Sequence, residues 1–357
     1  MKSNYDILGN HIRLIDTRNR ESITDRVLGI NIDKFFMPSV ANVIGTDLSK
    51  YKLIIKGKFA CNPMHVGRDE RLPVALYDEE KPAIVSPAYF MFEVIDNSIL
   101  NEDYLMMWFR RPEFDRICWL HTDGSVRGGI TWDDICRLEL PIPPIENQLE
   151  IVNSYKAITE RIALKQKIND NLDDTAQTLY QKYFESNSDK SSWKKGTVGD
   201  VLQLQRGHDL PRTEMTGGKY PVAGSTGTIG YHDEFTAEAP VIVMGRSGNI
   251  GNPRLYLCNC WTHNTSLYVK QIYEAEPLWV FYLLKNLNYD GFVGGSAVPT
   301  LNRNDVHAYG IAIPPLELQK SFSQKVMSLI YCKEENLSEI EKLQELQKII
   351  LTTMSSR

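Results

Sequence analysis

The sequence predicts an α+β protein in which two mixed α/β globules are joined by two long helices that form an antiparallel coiled coil, with a pseudo-twofold internal repeat. Three observations lead to this prediction: a block of sequence that occurs twice, a helical seam pattern after each copy, and short strand-like runs between the helices. At 357 residues the chain is long enough for two or more domains, each with its own core.

The repeat is clearest in two proline-rich phrases, LPIPPIENQ from Leu140 and IAIPPLELQ from Ile311, which lie 171 residues apart. The same shift aligns GSVRGGI at 124–130 with GSAVPTL at 295–301. Near the start of each half the matching shift is 190, where ILGN resembles TVGD, so the first half carries extra residues between these anchors. A shared block of about 25 residues without a gap is hard to attribute to chance, and it indicates the order globule, helix, globule, helix.

A seam with alternating spacings of four and three residues follows each proline-rich phrase, and this spacing is typical of a coiled coil. In the first helix, predicted over 147–184, the apolar seam residues are Ile151, Tyr155, Ile158, Ile162, Leu172 and Leu179. In the second helix, predicted over 318–353, they are Phe322, Val326, Leu329, Ile340, Leu343 and Ile350. Both seams carry polar residues near the middle, and such residues often fix the register. Two unrelated amphipathic helices are the alternative, but the matching register argues against it.

The length of each predicted helix is about 38 residues, or ~57 Å at ~1.5 Å per residue, which exceeds the width of a small domain. Such a helix cannot bury its apolar stripe against one small globule, so we expect the two helices to pair with each other. If they run antiparallel, the two globules are held at opposite ends of a stiff rod. The polar, serine-rich stretch ESNSDKSSWKK at 185–195 is predicted to be a hinge between the halves.

Between the helices, short runs rich in β-branched and aromatic residues predict strands, including YFMFEV at 89–94, VIVMGRSGNIG at 241–251 and TSLYVK at 265–270. Two further apolar runs, DYLMMWFRR at 103–111 and LWVFYLLKNL at 278–287, fit either short helices or buried strands, because periodicity alone does not decide. Each globule is therefore predicted to be mixed α/β with a strand-rich face.

The composition is ordinary for a globular protein, with 42% hydrophobic and 24% charged residues. No run of about 18 apolar residues and no signal-peptide pattern is found, so we expect a cytoplasmic protein without a membrane partner. Six cysteines in so long a chain do not make a disulfide framework, so reduced thiols are expected. The net charge of −5 counts mildly against nucleic acid as a partner, because neutralised phosphates usually supply most of that affinity.

Each stretch of the sequence that partly matches a catalytic or cofactor-binding motif lacks residues that the motif requires. The GGKY stretch at 217–220 lacks the leading glycine and the hydroxyl of a phosphate-binding P-loop. The GRSGNIG stretch at 245–251 has the wrong spacing for a dinucleotide loop and runs into a proline. The NPMH stretch at 62–65 lacks the second proline and the aromatic residue of an amino-methyltransferase motif, and CNCWTH at 258–263 lacks a complete zinc ligand set. We therefore expect no catalytic site, no cofactor and no metal.

The duplicated pattern resembles the DNA-specificity subunits of type I restriction-modification systems and the related specificity subunits of type IIB enzymes. The residues that carry the resemblance are Ile142-Pro143-Pro144 with Glu146 and Gln148, their counterparts Ile313-Pro314-Pro315 with Glu317 and Gln319, and the pairs Gly124-Ser125 and Gly295-Ser296. The resemblance covers nearly the whole chain, and it is specific as a doubled pattern.

The resemblance implies a non-catalytic subunit with target-recognition domains at 1–141 and 187–312 and spacer helices at 142–186 and 313–357. Each recognition domain then reads one half of a bipartite target in double-stranded DNA. The helices set the spacer between the half-sites and dock two methyltransferase subunits, with restriction or translocase subunits as further partners. A coiled-coil scaffold or adaptor without direct DNA readout is the alternative interpretation.

Base recognition in the major groove relies on bidentate arginine and asparagine contacts, so the candidate residues are polar side chains in glycine-rich loops. They are Lys56, Lys58, Asn62 and Arg127 in the first domain, and Arg206, Arg246, Ser247, Asn249 and Arg303 in the second. Arg246 is the favoured candidate for base reading, because glycines flank it and it follows the buried-looking run 241–244. Basic and acidic residues number 18 and 21 over 1–140, and 10 and 10 over 191–311, so binding by the isolated subunit is predicted to be weak with a shallow salt dependence.

Overall fold

The computed structural model describes residues 4–40, 43–64, 66–122, 128–289, 293–294 and 300–354. The chain divides into two compact units. Unit 1 consists of Met1–Leu164 and Glu339–Arg357, and unit 2 consists of Lys165–Ser338, so each of the two long helices contributes to both units. None of the described helices combines the length and the apolar character needed to cross a membrane.

Unit 1 is a mixed α/β unit, as predicted. Its strands are β1 (Tyr5–Ile7), β2 (Ile12–Leu14), β3 (Val27–Ile30), β4 (Phe36–Pro38), β5 (Lys52–Ile54), β6 (Lys58–Cys61), β7 (Val74–Tyr77), β8 (Ala83–Val85), β9 (Phe90–Val94) and β10 (Glu139–Pro141). Its short helices are α1 (Val66–Asp69), α2 (Glu102–Phe109), α3 (Pro112–Leu120) and α4 (Trp132–Cys136), and the first long helix is α5 (Ile145–Tyr180). A π-helical turn, Gln181–Glu185, continues α5.

Unit 2 repeats this plan. Its strands are β11 (Lys194–Thr197), β12 (Leu202–Arg206), β13 (Tyr220–Gly224), β14 (Gly227–His232), β15 (Val241–Gly245), β16 (Gly251–Tyr256), β17 (Trp261–Thr262), β18 (Ser266–Ile272), β19 (Val293–Gly294), β20 (Thr300–Leu301) and β21 (Gly310–Ile313). Its short helices are α6 (Pro277–Asn286) and α7 (Arg303–His307), and the second long helix is α8 (Leu316–Thr353).

The central sheets of the two units have the same strand order. Unit 1 has the antiparallel order β2-β9-β6-β7, and unit 2 has the antiparallel order β12-β18-β15-β16. A two-stranded pair leads into each long helix, β1 with β10 in unit 1 and β11 with β21 in unit 2. In these pairs Tyr5 faces Pro141 and Lys195 faces Ala312, which follow the shifts of 190 and 171 found in the sequence. The predicted internal repeat is therefore confirmed as a repeat of structure.

The proline-rich phrase contains a glutamine that has the same structural role in both units. Gln148 is fully buried and its Oε1 accepts a hydrogen bond at 2.9 Å from the backbone N–H of Asn101, the residue that caps α2. Gln319 is also buried and accepts at 2.9 Å from the backbone N–H of Glu276, which caps α6. The Nε2 of each glutamine donates at 2.8 Å to the carbonyl of a proline five residues earlier. Each glutamine thus ties the start of a long helix to the first turn of a globule helix, satisfying backbone groups that helix ends leave unpaired.

Within unit 1, α5 and the end of α8 pair in antiparallel fashion around an apolar cluster. Ile158, Ile162, Ile340 and Leu343 form this cluster. Thr159 accepts a hydrogen bond at 2.7 Å from the amide of Gln347. Ile162, which is later in α5, packs with Ile340, which is earlier in α8, so the two helices run in opposite directions. The predicted antiparallel pairing is confirmed for this segment.

Within unit 2, the continuation of α5 pairs with α8 through polar side chains. The amide of Asn336 donates to Asn169 Oδ1 at 2.9 Å, and Lys165 Nζ donates to Asn336 Oδ1 at 2.8 Å. Lys333 Nζ lies 2.5 Å from Asp173. Both asparagines are buried, with 6% and 8% of their surface exposed. These are the polar residues that the seam pattern located near the middle of each helix.

The other predicted seam residues also lie on buried or half-buried helix faces. Ile151, Tyr155 and Ile350 pack against the core of unit 1, Leu179, Phe322, Val326 and Leu329 belong to or pack against the core of unit 2, and Leu172 is half-buried. The two ambiguous apolar runs are helices α2 and α6, and most of their residues are buried. Burial on nearly all sides removes the amphipathic period that would have distinguished a helix.

The stretch 185–195, expected to be a hinge between the halves, is part of unit 2 instead. It contains a 3-10 turn, Ser188–Ser192, and the first residues of β11. The indole of Trp193 is buried and packs against the ring of Phe184, with 6.2 Å between ring centroids. The hinge prediction is wrong because a polar, serine-rich composition does not show that an aromatic residue within it is anchored in a core.

A buried ion pair lies in unit 1. Lys34, which adopts a left-handed backbone conformation at φ 67°, donates from Nζ to Asp115 and to the carbonyl of Phe109, both at 2.6 Å. Asp115 also accepts from the backbone N–H of Leu72 at 3.0 Å. Burial lowers the pKa of Lys34, and the charge of Asp115 opposes that shift. The pair therefore joins the β3–β4 turn to α3 inside the protein.

Candidate nucleic-acid interface

The loop that follows β15 has a tightly constrained backbone. A Cβ atom at Gly245 would lie 1.5 Å from the carbonyl oxygen of Asn249, so only glycine fits at this position. The next residue, Arg246, donates its backbone N–H to Thr265 at 3.0 Å and accepts at its carbonyl from Leu301 at 2.8 Å. The backbone of Arg246 is thus held from two sides while its side chain remains half-exposed.

Three predicted DNA-contacting residues from separate segments line one cavity in unit 2. They are Arg206 at the end of β12, Arg246 after β15, and Arg303 at the start of α7. The cavity has a volume of about 570 Å³, and it is called the arginine cavity below. The other residues that line it are Leu267, Thr300, Leu301 and Asn302.

The charges of the arginine cavity are largely uncompensated. Among the described residues that line it there is no Asp or Glu. The nearest carboxylate contact is from Arg206 Nη2 to Asp209 at 3.9 Å, and the Asp209 side chain is 77% exposed. An exposed pair at this distance contributes little energy, so it leaves the guanidinium available to a ligand. Neither Arg246 nor Arg303 has an ion-pair partner within the part of the chain that the structure describes.

A neutral histidine lies next to the cavity. His307 Nε2 accepts a hydrogen bond at 2.8 Å from the backbone N–H of Leu204 in β12, which requires this ring nitrogen to be unprotonated. Burial lowers the pKa of His307, and the positive charge of Arg303 one helical turn away lowers it further. The histidine therefore holds α7 against β12 only while it is uncharged.

The remaining candidate residues of unit 2, Ser247 and Asn249, stabilise the loop that follows β15. Ser247 forms an isolated β-bridge with Thr300 across the cavity wall. Asn249 donates from Nδ2 to the carbonyl of Ser225 at 3.1 Å and accepts at Oδ1 from Asn252 at 2.7 Å. These two residues build the loop that carries Arg246, and their own reading of bases stays a prediction.

The candidates of unit 1 are distributed differently. Lys56 forms an ion pair with Glu80, and Lys58 forms one with Glu93. Asn62 Oδ1 accepts from the backbone N–H of Met64 at 3.1 Å, so its side chain closes the turn after β6. Arg127 lies outside the described residues. The structure thus does not bring the described candidates of unit 1 into one cavity.

A hydrogen bond that occurs in both units identifies the part of unit 1 that corresponds to the arginine cavity. Ile130, which the shift of 171 aligns with Leu301, donates its backbone N–H to the carbonyl of Pro63 at 3.1 Å. Pro63 therefore occupies the position of Arg246. The shifts of 190 and 171 likewise match Asp16 with Arg206 and Trp132 with Arg303. Reasoning from composition missed this correspondence, although the aligned GSVRGGI and GSAVPTL segments carried the signal.

A second cavity with basic residues, of about 420 Å³, lies in unit 1 and was not predicted. Its lining includes Arg71, Arg110, Arg116 and Trp119 together with Lys34. Two of its cations are already paired, Arg71 with Asp33 at 2.8 Å and Lys34 with Asp115 at 2.6 Å. These arginines follow no glycine-rich loop, and Arg71 lies far from Arg110 and Arg116 in sequence, so the search of glycine-rich loops did not select them.

The cysteines of the CNC stretch differ in environment. Cys258 is exposed, whereas Cys260 is fully buried and burial raises its pKa to about 12. Within the described ranges, no three His, Cys, Asp or Glu side chains are grouped so that they could hold a metal ion.

Comparisons with known proteins agree with the duplicated fold. Residues 190–349 match the family model described as the type I restriction modification DNA specificity domain, and these residues include the arginine cavity. A putative type I restriction enzyme MjaX specificity subunit from Methanocaldococcus jannaschii is 22% identical, over 98% of this chain and 88% of that protein. The EcoprrI specificity subunit of Escherichia coli is 22% identical over 37% of this chain and 34% of that protein.

The crystal structure of the S subunit of a type I restriction-modification system from M. genitalium has the same fold. It superimposes with a TM-score of 0.63 at 15% identity, covering 99% of this chain and 96% of that one. The chain therefore has the fold of this S subunit, and its residues 190–349 match the DNA specificity domain. These similarities agree with the resemblance found in the sequence, and both relatives and the superimposed structure are described as belonging to type I systems.

Proposed function

We propose that this chain selects the DNA target of its complex by reading the two halves of a bipartite site in double-stranded DNA. In this proposal the recognition domains are 1–141 and 187–312, and the spacer helices are 142–186 and 313–357. The chain itself is non-catalytic, and partner subunits carry out methyl transfer and cleavage. The observation that carries the proposal is the arginine cavity, because residues chosen as base-contacting candidates from three distant segments line it together.

Exposed apolar side chains on the long helices support docking of two methyltransferase subunits, with restriction or translocase subunits as further partners. In unit 1, Leu149 and Leu346 are 42% and 48% exposed. In unit 2, Tyr331 and Leu337 are 57% and 40% exposed. These side chains are apolar contacts that the long helices offer to a docked partner.

The test of the proposal is DNA binding in the presence of the partner methyltransferase. Methylome sequencing of cells with and without the chain identifies the methylated motif, and a gel shift then compares that duplex with a scrambled one. We expect a bipartite motif that disappears with the chain and a specific shift by the assembled complex. A complex that assembles without sequence preference would support the scaffold alternative instead.

The isolated subunit is expected to bind the same duplex weakly and with a shallow salt dependence, because neither recognition domain is basic overall. Tight, steeply salt-dependent binding by the subunit alone would contradict this expectation. A methyl-transfer assay on the purified chain with labelled cofactor tests the non-catalytic assignment, and we expect no transfer.

The proposed role of the helices in setting the spacer is tested by insertions into 149–184 that keep the seam intact. Because a seven-residue insertion preserves the four-three spacing, the helix pair should re-form with a different length. We expect the tolerated spacer between the half-sites to change while both half-sites stay the same. Altered half-sites with an unchanged spacer would contradict the role.

A further inference from the structure

We infer that the arginine cavity divides its contacts, with Arg246 reading a guanine edge and Arg206 and Arg303 binding phosphates of the DNA backbone. This inference rests on the proposed function and assigns a ligand chemistry to each arginine. It also assigns the backbone contact at these matched positions to unit 2.

Arg246 has the constraints that base reading requires. A bidentate contact to guanine O6 and N7 fixes both the distance and the plane of the guanidinium, so the backbone that carries it must be rigid. Hydrogen bonds to Thr265, just before β18, and from Leu301 of β20 hold the backbone of Arg246 on both sides, and the backbone of Gly245 packs closely against Asn249.

Arg206 and Arg303 have the properties of phosphate-binding residues. Both side chains are exposed: Arg206 is the last residue of β12, where it pairs with Leu267 of β18, and Arg303 is the first residue of α7. Arg206 makes only a long hydrogen bond from Nε to the carbonyl of Asn264, at 3.4 Å, besides its distant contact with Asp209. A phosphate accepts hydrogen bonds from many directions, so exposed cations suit it and fix the position of the protein on the duplex.

The matched positions of unit 1 carry no positive charge. Asp16 stands where unit 2 has Arg206, and it is itself paired with Arg18 at 2.7 Å. Trp132 stands where unit 2 has Arg303, and it packs on Phe92 with 5.4 Å between ring centroids. Pro63 replaces Arg246. None of these three positions of unit 1 therefore supplies a cation for a phosphate contact, whereas the matched positions of unit 2 do.

The experiment uses the subunit assembled with its methyltransferase partner and measures binding to the methylome-defined duplex, and to single-base variants of it, across a range of salt concentrations. Arg206→Gln and Arg303→Gln are each expected to reduce the slope of log K against log salt by about 0.9, with unchanged discrimination between bases. Arg246→Lys keeps the charge but loses the bidentate fork, so we expect an unchanged slope and at least a ~10-fold loss of discrimination at one base pair of one half-site.

The controls are chosen to separate this inference from simpler explanations. Arg206→Lys and Arg303→Lys should retain both slope and discrimination, since a point charge suffices for phosphate. Arg212→Gln removes an exposed arginine of unit 2 outside the cavity and should leave the slope unchanged. Thermal unfolding of each variant shows whether unit 2 remains folded.

The inference is overturned if Arg246→Lys retains discrimination, or if the glutamine variants of Arg206 and Arg303 change the slope no more than Arg212→Gln does. If the wild-type complex shows no sequence preference, the proposed function fails, and the inference fails with it. A specific wild-type complex with unchanged variant slopes rejects the inference alone.

Discussion

Units 1 and 2 share one scaffold but differ where the arginine cavity lies. Gln148 and Gln319 make equivalent hydrogen bonds, and the central sheets have the same strand order. At the cavity, by contrast, three arginines of unit 2 correspond to an aspartate, a proline and a tryptophan of unit 1. The comparison shows that the repeat is retained where backbone groups need partners and has diverged where a ligand would be contacted.

The segments in which α5 pairs with α8 also differ between the two units. In unit 1 the paired segment is apolar, with Ile162 against Ile340 and Leu343. In unit 2 the paired segment contains Asn169 and Asn336 in a buried hydrogen bond. Apolar contacts supply stability without fixing a unique register, whereas a buried asparagine pair penalises any shift that would leave its amides unsatisfied. The buried asparagine pair of unit 2 is therefore expected to fix the register of the helices more strongly than the apolar cluster of unit 1 does.

The largest effect is expected from the buried ion pair of unit 1. Asp115→Ala leaves the ammonium of Lys34 buried without its carboxylate, which should destabilise unit 1 by about 3–5 kcal/mol. Hydrogen exchange resolved by peptide should show faster exchange in unit 1 and unchanged exchange in unit 2. The exposed Asp133→Ala control should change stability by less than ~0.5 kcal/mol. Equal loosening of both units would mean that they do not unfold independently.

A matched pair of substitutions tests the shared scaffold. Gln148→Leu and Gln319→Leu each leave buried backbone groups without partners, so each should cost about 3 kcal/mol in its own unit. Gln148 should cost more, because it makes an additional hydrogen bond to the carbonyl of Ile99 at 2.8 Å. Chemical unfolding followed by probes in each unit provides the measurement, with the exposed Gln344→Leu as control. A variant that leaves its own unit unaffected would show that the anchor is not equivalent in the two units.

The contrast between the helix pairs is tested at Asn336. Asn336→Leu removes the partner of both Asn169 and Lys165, so we expect a loss of about 2 kcal/mol in unit 2. The double variant Asn169→Leu/Asn336→Leu replaces the buried amides by an apolar contact and should recover most of that loss. A double-mutant cycle from thermal unfolding measures the coupling. Additive effects would contradict a direct interaction between the two asparagines.

The smallest effect concerns pH. The pKa of His307 is lowered by burial and by Arg303, so the folded state binds this proton less tightly than the unfolded chain does. Its contribution to stability is therefore fully present above the unfolded pKa of about 6.5 and is lost as the pH falls through the folded pKa. Unit 1 has Cys136 at the matched position, and its thiol stays protonated in this range because burial raises its pKa.

We expect the melting temperature of unit 2 to fall below about pH 6.5 more steeply than that of unit 1. His307→Gln can still accept the hydrogen bond from Leu204 and does not titrate, so it should flatten the profile of unit 2. Differential scanning calorimetry between pH 5 and 8 provides the comparison. Identical profiles for His307→Gln and the wild type would rule out this histidine as the source.

Much of the fold followed from the sequence because its signals are periodic or repeated. The helices predicted over 147–184 and 318–353 are observed as Ile145–Tyr180 and Leu316–Thr353. The run YFMFEV is strand β9, Phe90–Val94. The hinge prediction failed because it was drawn from composition, and the anchoring of Trp193 depends on contacts with residues far along the chain.

The site was predictable only in part. Arg206, Arg246 and Arg303 were selected as residue types in suitable loops, but their convergence depends on the order of strands β12, β18 and β15, which no local pattern specifies. The pairing of Lys58 with Glu93, and the hydrogen bond from the Asn249 amide to Ser225, depend on partners 35 and 24 residues away. Such long-range contacts decide whether a polar side chain is available to a ligand.

The division of α5 and α8 between the units has a consequence for synthesis on the ribosome. Unit 2 is one continuous segment, whereas unit 1 needs Glu339–Arg357, which is translated after unit 2 is complete. Ile158 and Ile162 must wait for Ile340 and Leu343 while Lys165–Ser338 is made, a delay of roughly 10–35 s at ~5–20 residues per second. Unit 1 is therefore the first to be translated and the last to complete its fold. During that interval the apolar residues Ile158 and Ile162 of α5 remain uncovered, and we expect a chaperone to bind there.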